Sequence, residues 1–441
     1  MQGIDRWPPW VRAARSHGCG RGAQGLRLVA LGGMAFALAL SASPRAARAE
    51  TGGLMLAEAL SRALAQNKEL AAYEHRPVEQ AGRVLQAGAL PNPELRLGVE
   101  EFAGSGSSEG FDSAETTLSL GWALDGRARR HRVRAERARS AVIDLDVRAR
   151  RLDVAAETAQ RFLSCLANQS RKDAADEAVA LAEETVVTVR RRVGAGRAPA
   201  AEQMRAEAEL EAARLLREGA SHDGLISRHR LATQWGSSTP DFTRVGGNLV
   251  AFPSLAPYAA FVERLDSTPE IVRLVSEERL AKENVRLAEA MRWPTLRPSL
   301  GVRHFADGDD VALVAGLNLA LPVFDRNQGQ LAASRAAHAR TRADAGAERL
   351  RARERLFELY EELQHGIHRA EALRVRIIPK LAAAQAEIRN GYDRGRYGYF
   401  EWRSVQAELL AAKNALIAVS TDSRRLVISL ERLTGERVVT P

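Results

Sequence analysis

The stretch LRLGVEEF, residues 95–102, recurs about two hundred residues later as SLGVRHF, residues 299–305. Both stretches contain the frame Leu-Gly-Val-x-x-Phe, and in both the side chains alternate as they do along a β-strand. A strand written twice in one chain indicates that a larger unit around it is duplicated. The two copies therefore mark two copies of one supersecondary unit.

The duplicated unit extends to a second pair of segments, VGAGRAPAAE beginning at Val193 and DRGRYGYFE beginning at Asp393. Glycine, arginine and glutamate recur in these segments at one offset of 199 residues, as Gly196 and Gly395, Arg197 and Arg396, and Glu202 and Glu401. We predict an internally duplicated chain with repeats over 50–248 and 249–441.

Each repeat shows one order of predicted elements. A helix comes first, then a β-hairpin, and then a pair of long helices that meet at a glycine break. The predicted first helices are 55–88 and 255–291, and the predicted strands are 94–102, 114–124, 297–305 and 311–321. The fold class is therefore mainly α with a small β part.

The long helices are the most unusual feature of the sequence. From Arg127 to Val193 there is neither proline nor glycine. At about 1.5 Å per residue, such a helix is on the order of 100 Å long. Apolar residues recur in steps of three and four, which is coiled-coil spacing. Long helices of this kind must pack side by side, and Pro379 predicts a kink or a boundary in the second repeat.

The strands have one large apolar side and one small or polar side. In TTLSLGWAL the apolar side holds Leu118, Leu120, Trp122 and Leu124. Such strands suit a lipid-facing barrel with a watery lumen, although a β-sandwich or a sheet packed on helices has the same pattern. Four strands are too few to close a barrel, so several chains must share one, and three chains would supply twelve strands.

The first 49 residues have the layout of a secretory signal peptide. Scattered arginines precede an apolar run, and Ala47-Arg48-Ala49 is a small-residue cleavage site. We predict cleavage after Ala49 and export. No apolar run of 18 or more residues follows the leader, so no transmembrane helix is expected in the mature chain.

Charge and cysteine content exclude several classes of function. The leader removes seven arginines and one aspartate from 64 basic and 55 acidic residues, which leaves 57 and 54, or a net charge near +3. Charges of both signs are interspersed along the helices, so nucleic acid is not an expected partner. Cys165 is the one cysteine after the leader, which excludes a disulfide framework and a cysteine-based zinc site.

The chain resembles a known family, the outer-membrane efflux proteins of the TolC type. The stretches LPNPELRLGVEEFAGSG and GFDSAETTLSLGWALD, with the duplication and both tip segments, are most similar to the CzcC-like branch that exports divalent metal cations. The resemblance implies a homotrimer with a twelve-stranded barrel in outer-membrane lipid and a helical tunnel in the periplasm. It also implies two partners: a periplasmic adaptor (membrane fusion protein) and an inner-membrane pump of the resistance-nodulation-division class.

The helix–helix turns would then lie at the periplasmic end of the tunnel. The resemblance assigns adaptor contact to Gly196, Arg197, Gly395 and Arg396. Both glycines suit a turn that needs a positive φ angle. The alternative for both arginines is that each caps the carbonyl groups at a helix end.

The same resemblance places gating acids near this turn in the second repeat. We assign the gate to Glu202, Glu401, Asp393 and Arg394, with Arg205 as a further ion-pair candidate. Three chains would supply a ring of six glutamates, which favours cations. The alternative is that these glutamates belong to an ordinary solvated helix face.

No enzymatic motif and no cofactor motif is present: the sequence lacks a phosphate-binding loop, a nucleophile elbow and a His-Glu-x-x-His motif. His365 and His368, one turn after Glu361 and Glu362, have metal-ligand spacing, but a solvated face is the more common origin of such a pair, and no metal site is assigned. The leading function is a passive exit duct. The alternatives are a duct of the same family for organic compounds, an exported coiled-coil scaffold and a periplasmic adaptor.

Overall fold

The computed structural model describes residues 53–106, 109–252, 254–308 and 310–435, so the predicted leader lies outside the described residues. The described chain is mainly helical with one small sheet. Its elements, in chain order, are α1 (Leu56–Gln66), α2 (Lys68–Tyr73), α3 (Arg76–Gly88), β1 (Glu94–Glu100), β2 (Glu115–Gly121), α4 (Gly126–Gly194), α5 (Ala200–Ala232), α6 (Tyr258–Leu265), α7 (Pro269–Ala290), β3 (Leu296–Phe305), β4 (Asp310–Leu319), α8 (Gln328–Glu371), α9 (Ile378–Asp393) and α10 (Tyr399–Thr434).

The first helix of each repeat is divided, and the predictions of single helices were wrong. Asn67 separates α1 from α2: its backbone is extended, its Oδ1 accepts from the amide of Leu70, and its Nδ2 donates to the carbonyl of Gln234. In the second repeat α7 begins at Pro269, whose missing N–H suits a first helical position rather than a helix interior. A polar side chain that forms hydrogen bonds to the backbone favours a break in a helix, and so does a proline.

The long helix predicted after the first hairpin is confirmed. α4 runs for 69 residues from Gly126 to Gly194. Its alanine and long charged side chains are good helix formers, and the absence of internal proline and glycine leaves no local reason to break. The side chain of Arg150 forms ion pairs with Glu69, Asp153 and Glu157 along this helix and its neighbour.

The predicted interruption at Pro379 is also confirmed. A π-helical segment, Ala372–Ile377, follows α8, and Pro379 occupies the first turn of α9. Proline cannot donate a hydrogen bond to the preceding turn, and a wider π turn is one way in which the chain accommodates the missing bond.

The four strands form one antiparallel sheet in the order β1-β2-β3-β4. The register places Leu97 opposite Leu118, Leu118 opposite Val302, and Val302 opposite Leu313. Residues that pair directly across strands lie on the same face. One face of the sheet is therefore mainly apolar, with Thr116 and His304 near one end, and its large apolar side chains are exposed to solvent in the single chain.

The opposite face of the sheet is mainly small or polar, although Phe305 and Val314 also lie on it. Arg303 lies on this face, where Nε donates to Thr117 Oγ1 at 3.0 Å, Nη2 lies 3.3 Å from Glu100, and Nη1 contacts Glu115. These bonds join β3 of the second repeat to β1 and β2 of the first. Both the apolar and the polar face agree with the alternation that the sequence predicts.

The described residues form two compact units, and each unit contains segments from both predicted repeats. The first unit comprises the described residues up to Ala71, Arg150–Thr268 and the described residues from Arg353 onward. Its main core is built from Phe162, Leu166, Leu231, Trp235 and their neighbours. The second unit, Ala72–Ala149 with Pro269–Ala352, contains the sheet and the helix segments that adjoin it.

In the part of the chain that is described, no helix combines the length and the apolar character needed to cross a membrane.

Candidate functional site

The two helix–helix turns of the first unit have the same backbone geometry. Gly196 has φ +69° and Gly395 has φ +74°, so both positive angles that the sequence predicts are confirmed. In the first turn the amide of Gly196 donates to the carbonyl of Val193 at 2.9 Å, and in the second the amide of Gly395 donates to the carbonyl of Tyr392 at 3.0 Å. A left-handed glycine after the last helical turn is a common way to end a helix.

Arg197 and Arg396 contribute their backbone to these turns. The amide of Arg197 donates to the carbonyl of Arg192 at 2.9 Å, and the amide of Arg396 donates to the carbonyl of Gly391 at 2.7 Å. Both residues are exposed. The helix-end carbonyls are thus satisfied by main-chain amides, and the two guanidinium groups lie at the surface of the turns.

Glu401 closes the start of α10. Its Oε2 accepts a hydrogen bond from the amide of Gly398 at 2.8 Å, and Glu401 stands at the third helical position. This arrangement satisfies an amide that the helix itself leaves without a partner. A Cβ at Gly398 would lie 2.7 Å from Oε2 of Glu401, so glycine at this position leaves room for the cap.

Glu202 stands at the equivalent position of α5 but has a different partner. Its Oε2 accepts a hydrogen bond from the hydroxyl of Tyr392 at 3.0 Å. Tyr392 belongs to the second repeat, so this bond joins the two tip turns. The two glutamates that repeat in the sequence therefore accept hydrogen bonds from different groups, a tyrosine hydroxyl and a backbone amide.

Tyr392 is the centre of a compact group that we call the tip cluster: Arg192, Glu202, Tyr392, Tyr399 and Trp402. The ring of Tyr392 lies 4.9 Å from that of Trp402, and the guanidinium of Arg192 lies 4.1 Å from the centre of the Tyr392 ring. Arg192 also donates to the backbone carbonyl of Tyr392 and, at 3.5 Å, to that of Arg197. Arg192 thus caps the end of α9 and also bonds the turn that follows its own helix.

A second tyrosine makes a parallel connection. The hydroxyl of Tyr399 donates to Glu209 Oε2 at 3.3 Å, and Arg403 forms an ion pair with the same carboxylate. Farther along the helices, Lys413 pairs with Glu177 at 2.5 Å. Each of these contacts joins the first repeat to the second.

The electrostatics of the tip cluster keep both tyrosines protonated. Burial raises the pKa of Tyr392 to about 12, with a smaller contribution from its bond to the Glu202 carboxylate. Burial also raises the pKa of Tyr399, and the negative charge of Glu209 adds to the effect. Both hydroxyl groups therefore act as hydrogen-bond donors to carboxylates at physiological pH.

Asp393 and Arg394 are exposed at the end of α9. Among the ion pairs of the described residues, neither residue is joined to Glu202 or Glu401. The structure of one chain brings Glu202 into the tip cluster and places Glu401 beside its own helix start, but it does not assemble the four predicted gate residues into one network.

No group of three or more histidine, cysteine, aspartate or glutamate side chains in the described residues is arranged to hold a metal ion. His365 and His368 both lie in α8 without such a cluster. The tip cluster instead joins the two turns through hydrogen bonds of Tyr392 with Glu202 and Arg192.

Four residues of the tip cluster are not predicted from the sequence: Arg192, Tyr392, Tyr399 and Trp402. A signal for three of them was present, because five of the eleven residues in YDRGRYGYFEW are aromatic whereas the whole chain is 5% aromatic. The corresponding segment of the first repeat, from Val193, has no aromatic residue. Arg192 has no such signal, since Gly391 occupies the equivalent position 199 residues later.

Two curated relatives are similar over most of the chain. The chain is 25% identical over 388 residues to the cobalt-zinc-cadmium resistance protein CzcC of Cupriavidus metallidurans, with 88% of this chain and 91% of that protein covered. It is 27% identical over 317 residues to the nickel-cobalt-cadmium resistance protein NccC of Alcaligenes xylosoxydans xylosoxydans, with 71% and 70% covered. The resemblance to the CzcC-like branch is confirmed.

Two solved structures have the same fold. A crystal structure of CusC matches with a TM-score of 0.73 and 17% identity, and the match covers 86% of this chain and 92% of that one. The outer membrane protein VceC from Vibrio cholerae matches with a TM-score of 0.67 and 19% identity, with 87% and 96% covered. The mainly helical fold with few strands is thus shared with known channels of the TolC type.

The profile of the outer membrane efflux protein family matches residues 59–237 and 262–436, which together make up most of the chain. Members of this family are outer-membrane channels, so the predictions of an efflux role and of no enzymatic activity agree with the match. The chain belongs to the outer membrane efflux protein family.

Proposed function

We propose that this chain is the passive outer-membrane exit duct of a tripartite efflux system and that its cargo is divalent metal cations. The observation that carries the choice of cargo is the similarity to CzcC and NccC, whose names specify resistance to cobalt, zinc, cadmium and nickel. Transport through the duct needs no chemistry from this component, because the pump supplies the energy.

The sheet supports a shared barrel. β1 and β4 are its two edges, and one face is mainly apolar and exposed. In lipid, each unsatisfied backbone group at an open edge would cost several kcal/mol, so the edges must pair with strands of other copies. Three chains would form one twelve-stranded barrel, with the polar face around Arg303 toward the lumen.

The helical part supports a periplasmic tunnel. A 69-residue helix with interspersed charges suits an aqueous compartment rather than lipid. In this proposal residues 1–49 direct export and are removed after Ala49, and repeats 50–248 and 249–441 each supply one hairpin and one helical pair. A periplasmic adaptor and a resistance-nodulation-division pump deliver the cation.

The tip turns carry the gate and the docking surface. We assign the adaptor contact to Gly196, Arg197, Gly395 and Arg396, which present two exposed arginines on rigid turns. Glu202, Glu401, Asp393 and Arg394 form the gate, in which three chains place six glutamates around the axis. The hydrogen bond from Tyr392 to Glu202 supports a closed state that adaptor binding would release.

A host from which this gene has been deleted tests the cargo. We expect increased sensitivity to cobalt, zinc or cadmium ions, higher cellular metal content by mass spectrometry, and restoration by the full-length chain. Increased sensitivity to organic compounds with unchanged metal tolerance would replace the metal cargo by an organic one. Recovery of the mature chain as a monomer that washes off membranes would instead favour the exported scaffold.

A further inference from the structure

The first turns of α4 are unusually rich in arginine. Seven arginines lie between positions 127 and 139, against one glutamate, Glu136. Three of the seven have partners within the second unit: Arg129 donates to the carbonyl of Gly88 at 3.0 Å, Arg132 pairs with Asp125, and Arg139 lies 3.9 Å from Glu136. These three contribute to packing around the helix start.

The other four arginines form a stripe on one exposed face of α4, which we call the basic stripe: Arg127, Arg130, Arg134 and Arg137. Their spacing of three and four residues places them above one another along the helix. Within the described residues, none of the four is joined to a carboxylate by an ion pair. Arg130 bonds only the carbonyl of Gly126, at 3.2 Å, and Arg127 lies over an aromatic ring.

The basic stripe works against the stability of its own helix. The start of a helix carries partial positive charge, and α4 has no acidic residue in its first turn; the carboxylate of Asp125, directly before the helix, is paired with Arg132. Like charges three or four residues apart also repel each other. The positive charge of the stripe also affects His131: burial lowers the pKa of this imidazole, and the charge of Arg134 lowers it further. A local arrangement that breaks the usual charge rule without an internal counterion indicates an external anion.

The position of the stripe identifies that anion. β2 ends at Gly121, and the apolar face of the sheet continues into the exposed side chain of Trp122. The ring of Trp293 is 63% exposed, and the guanidinium of Arg127 lies 4.5 Å from its centre. Tryptophan beside arginine, at the end of an apolar surface, is typical of the headgroup level of a membrane.

We propose that the basic stripe binds the phosphate groups of anionic phospholipids in the leaflet next to the junction of strand and helix. The proposal rests on the proposed function, because it takes the apolar strand face as the lipid-facing surface. One guanidinium group can bind two phosphate oxygens at once, and four such groups along about three helical turns offer room for more than one phosphate group. Such basic clusters beside a membrane segment attract anionic lipid.

The test uses the mature chain purified in nonionic detergent and titrated with dioctanoyl phosphatidylglycerol or dioctanoyl phosphatidylcholine, with lipid retention measured by native mass spectrometry. The test variant changes Arg127, Arg130, Arg134 and Arg137 to Gln. The matched control changes four exposed arginines elsewhere, Arg217, Arg353, Arg374 and Arg376, to Gln, which alters net charge equally. Inorganic phosphate at constant ionic strength serves as the competitor.

We expect the unmodified chain and the control to prefer phosphatidylglycerol by at least about tenfold, because the basic residues attract the anionic headgroup. The stripe variant should lose that preference, and inorganic phosphate should not displace the lipid. Equal retention of both lipids by the unmodified chain would overturn the proposal and leave the duct intact. A changed anion selectivity of the stripe variant in planar bilayers would place the stripe in the lumen and also overturn it. Failure of the unmodified chain to enter membranes would instead refute the proposed function.

Discussion

Trp402 and Phe400 lie two positions apart in α10, but Trp402 is 1% exposed and Phe400 is 72% exposed. Removing a fully buried aromatic ring costs its transfer free energy and leaves a cavity, together about 3–5 kcal/mol. We expect Trp402→Ala to lower the free energy of unfolding by about that amount and Phe400→Ala by less than about 0.5 kcal/mol. Guanidinium unfolding of the mature chain in detergent, followed by circular dichroism, measures both. Equal effects would show that the tip cluster does not stabilise the fold.

The hydroxyl of Tyr392 predicts a dependence of stability on pH. A tyrosine in an unfolded chain has a pKa near 10, whereas burial and the Glu202 bond raise the pKa of Tyr392 to about 12. Because the folded pKa is the higher one, this contribution is fully present below about pH 10 and is lost as pH rises toward 12. We expect stability to fall over that window and Tyr392→Phe to reduce the fall.

Unfolding curves at several pH values between 9 and about 12 measure this effect. Tyr73→Phe, at a residue outside the tip cluster, is the control and should leave the fall unchanged. A Tyr392→Phe variant with the same pH dependence as the parent chain would contradict the role of this hydroxyl.

The paired glutamates of the gate predict a change in ion selectivity. Glu202→Gln with Glu401→Gln removes six negative charges from the proposed trimer, so cation selectivity in a planar bilayer should fall. Glu354→Gln with Glu361→Gln removes the same charge from exposed positions of α8 and should have a smaller effect. Unchanged selectivity in the tip variant would remove the gate assignment and leave the duct proposal in place.

At the scale of the element, the ends of the long helices depend on backbone conformation rather than on space. A Cβ at Gly196 would meet nothing within 4 Å, yet φ there is +69°. Glycine is therefore needed at this position because of its positive φ angle and not because a side chain would lack space. The same reasoning explains why Gly395 recurs although the side chains around it differ.

This distinction predicts opposite effects for two glycine substitutions. Gly196→Ala should cost about 1–2 kcal/mol, because an L side chain disfavours the left-handed region. Gly219→Ala, inside α5 and also facing open space, should instead stabilise the chain by about 0.5–1 kcal/mol through helix propensity. Thermal unfolding of the two variants side by side measures the sign. Destabilisation by both would point to hidden packing at Gly219.

At the scale of the whole molecule, the two predicted repeats contribute to one sheet and to one tip cluster. The second unit takes its sheet from both halves, with β2 of the first repeat paired to β3 of the second. Arg303 strengthens this seam through its bonds to Thr117 and Glu115. In the first unit the tip cluster makes the corresponding connection. Each predicted repeat therefore supplies some of the hydrogen-bond partners of the other.

The two faces of the sheet predict a difference in membrane insertion. Leu313 lies on the apolar face and is 80% exposed, whereas its neighbour Val314 lies on the polar face. Leu313→Lys should cost about 2–4 kcal/mol at the centre of a bilayer, and Val314→Lys should be tolerated because position 314 would face the lumen of the proposed barrel. Folding into phospholipid vesicles, assayed by protease protection, measures both. Equal insertion of the two variants would contradict the lipid-facing assignment.

The sequence alone determined the features that depend on local preference. Period-two and coiled-coil patterns gave the four strands, their two faces and the 69-residue helix, and the paired glycines gave the two turns. The division of the first helices could also have been predicted, because Asn67 and Pro269 are helix-breaking signals in the sequence. Only the tertiary structure decided that Glu202 bonds Tyr392 and that Arg192 caps a helix of the other predicted repeat. These partners lie about two hundred residues apart, so they depend on how the packed helices approach each other, which no local pattern encodes.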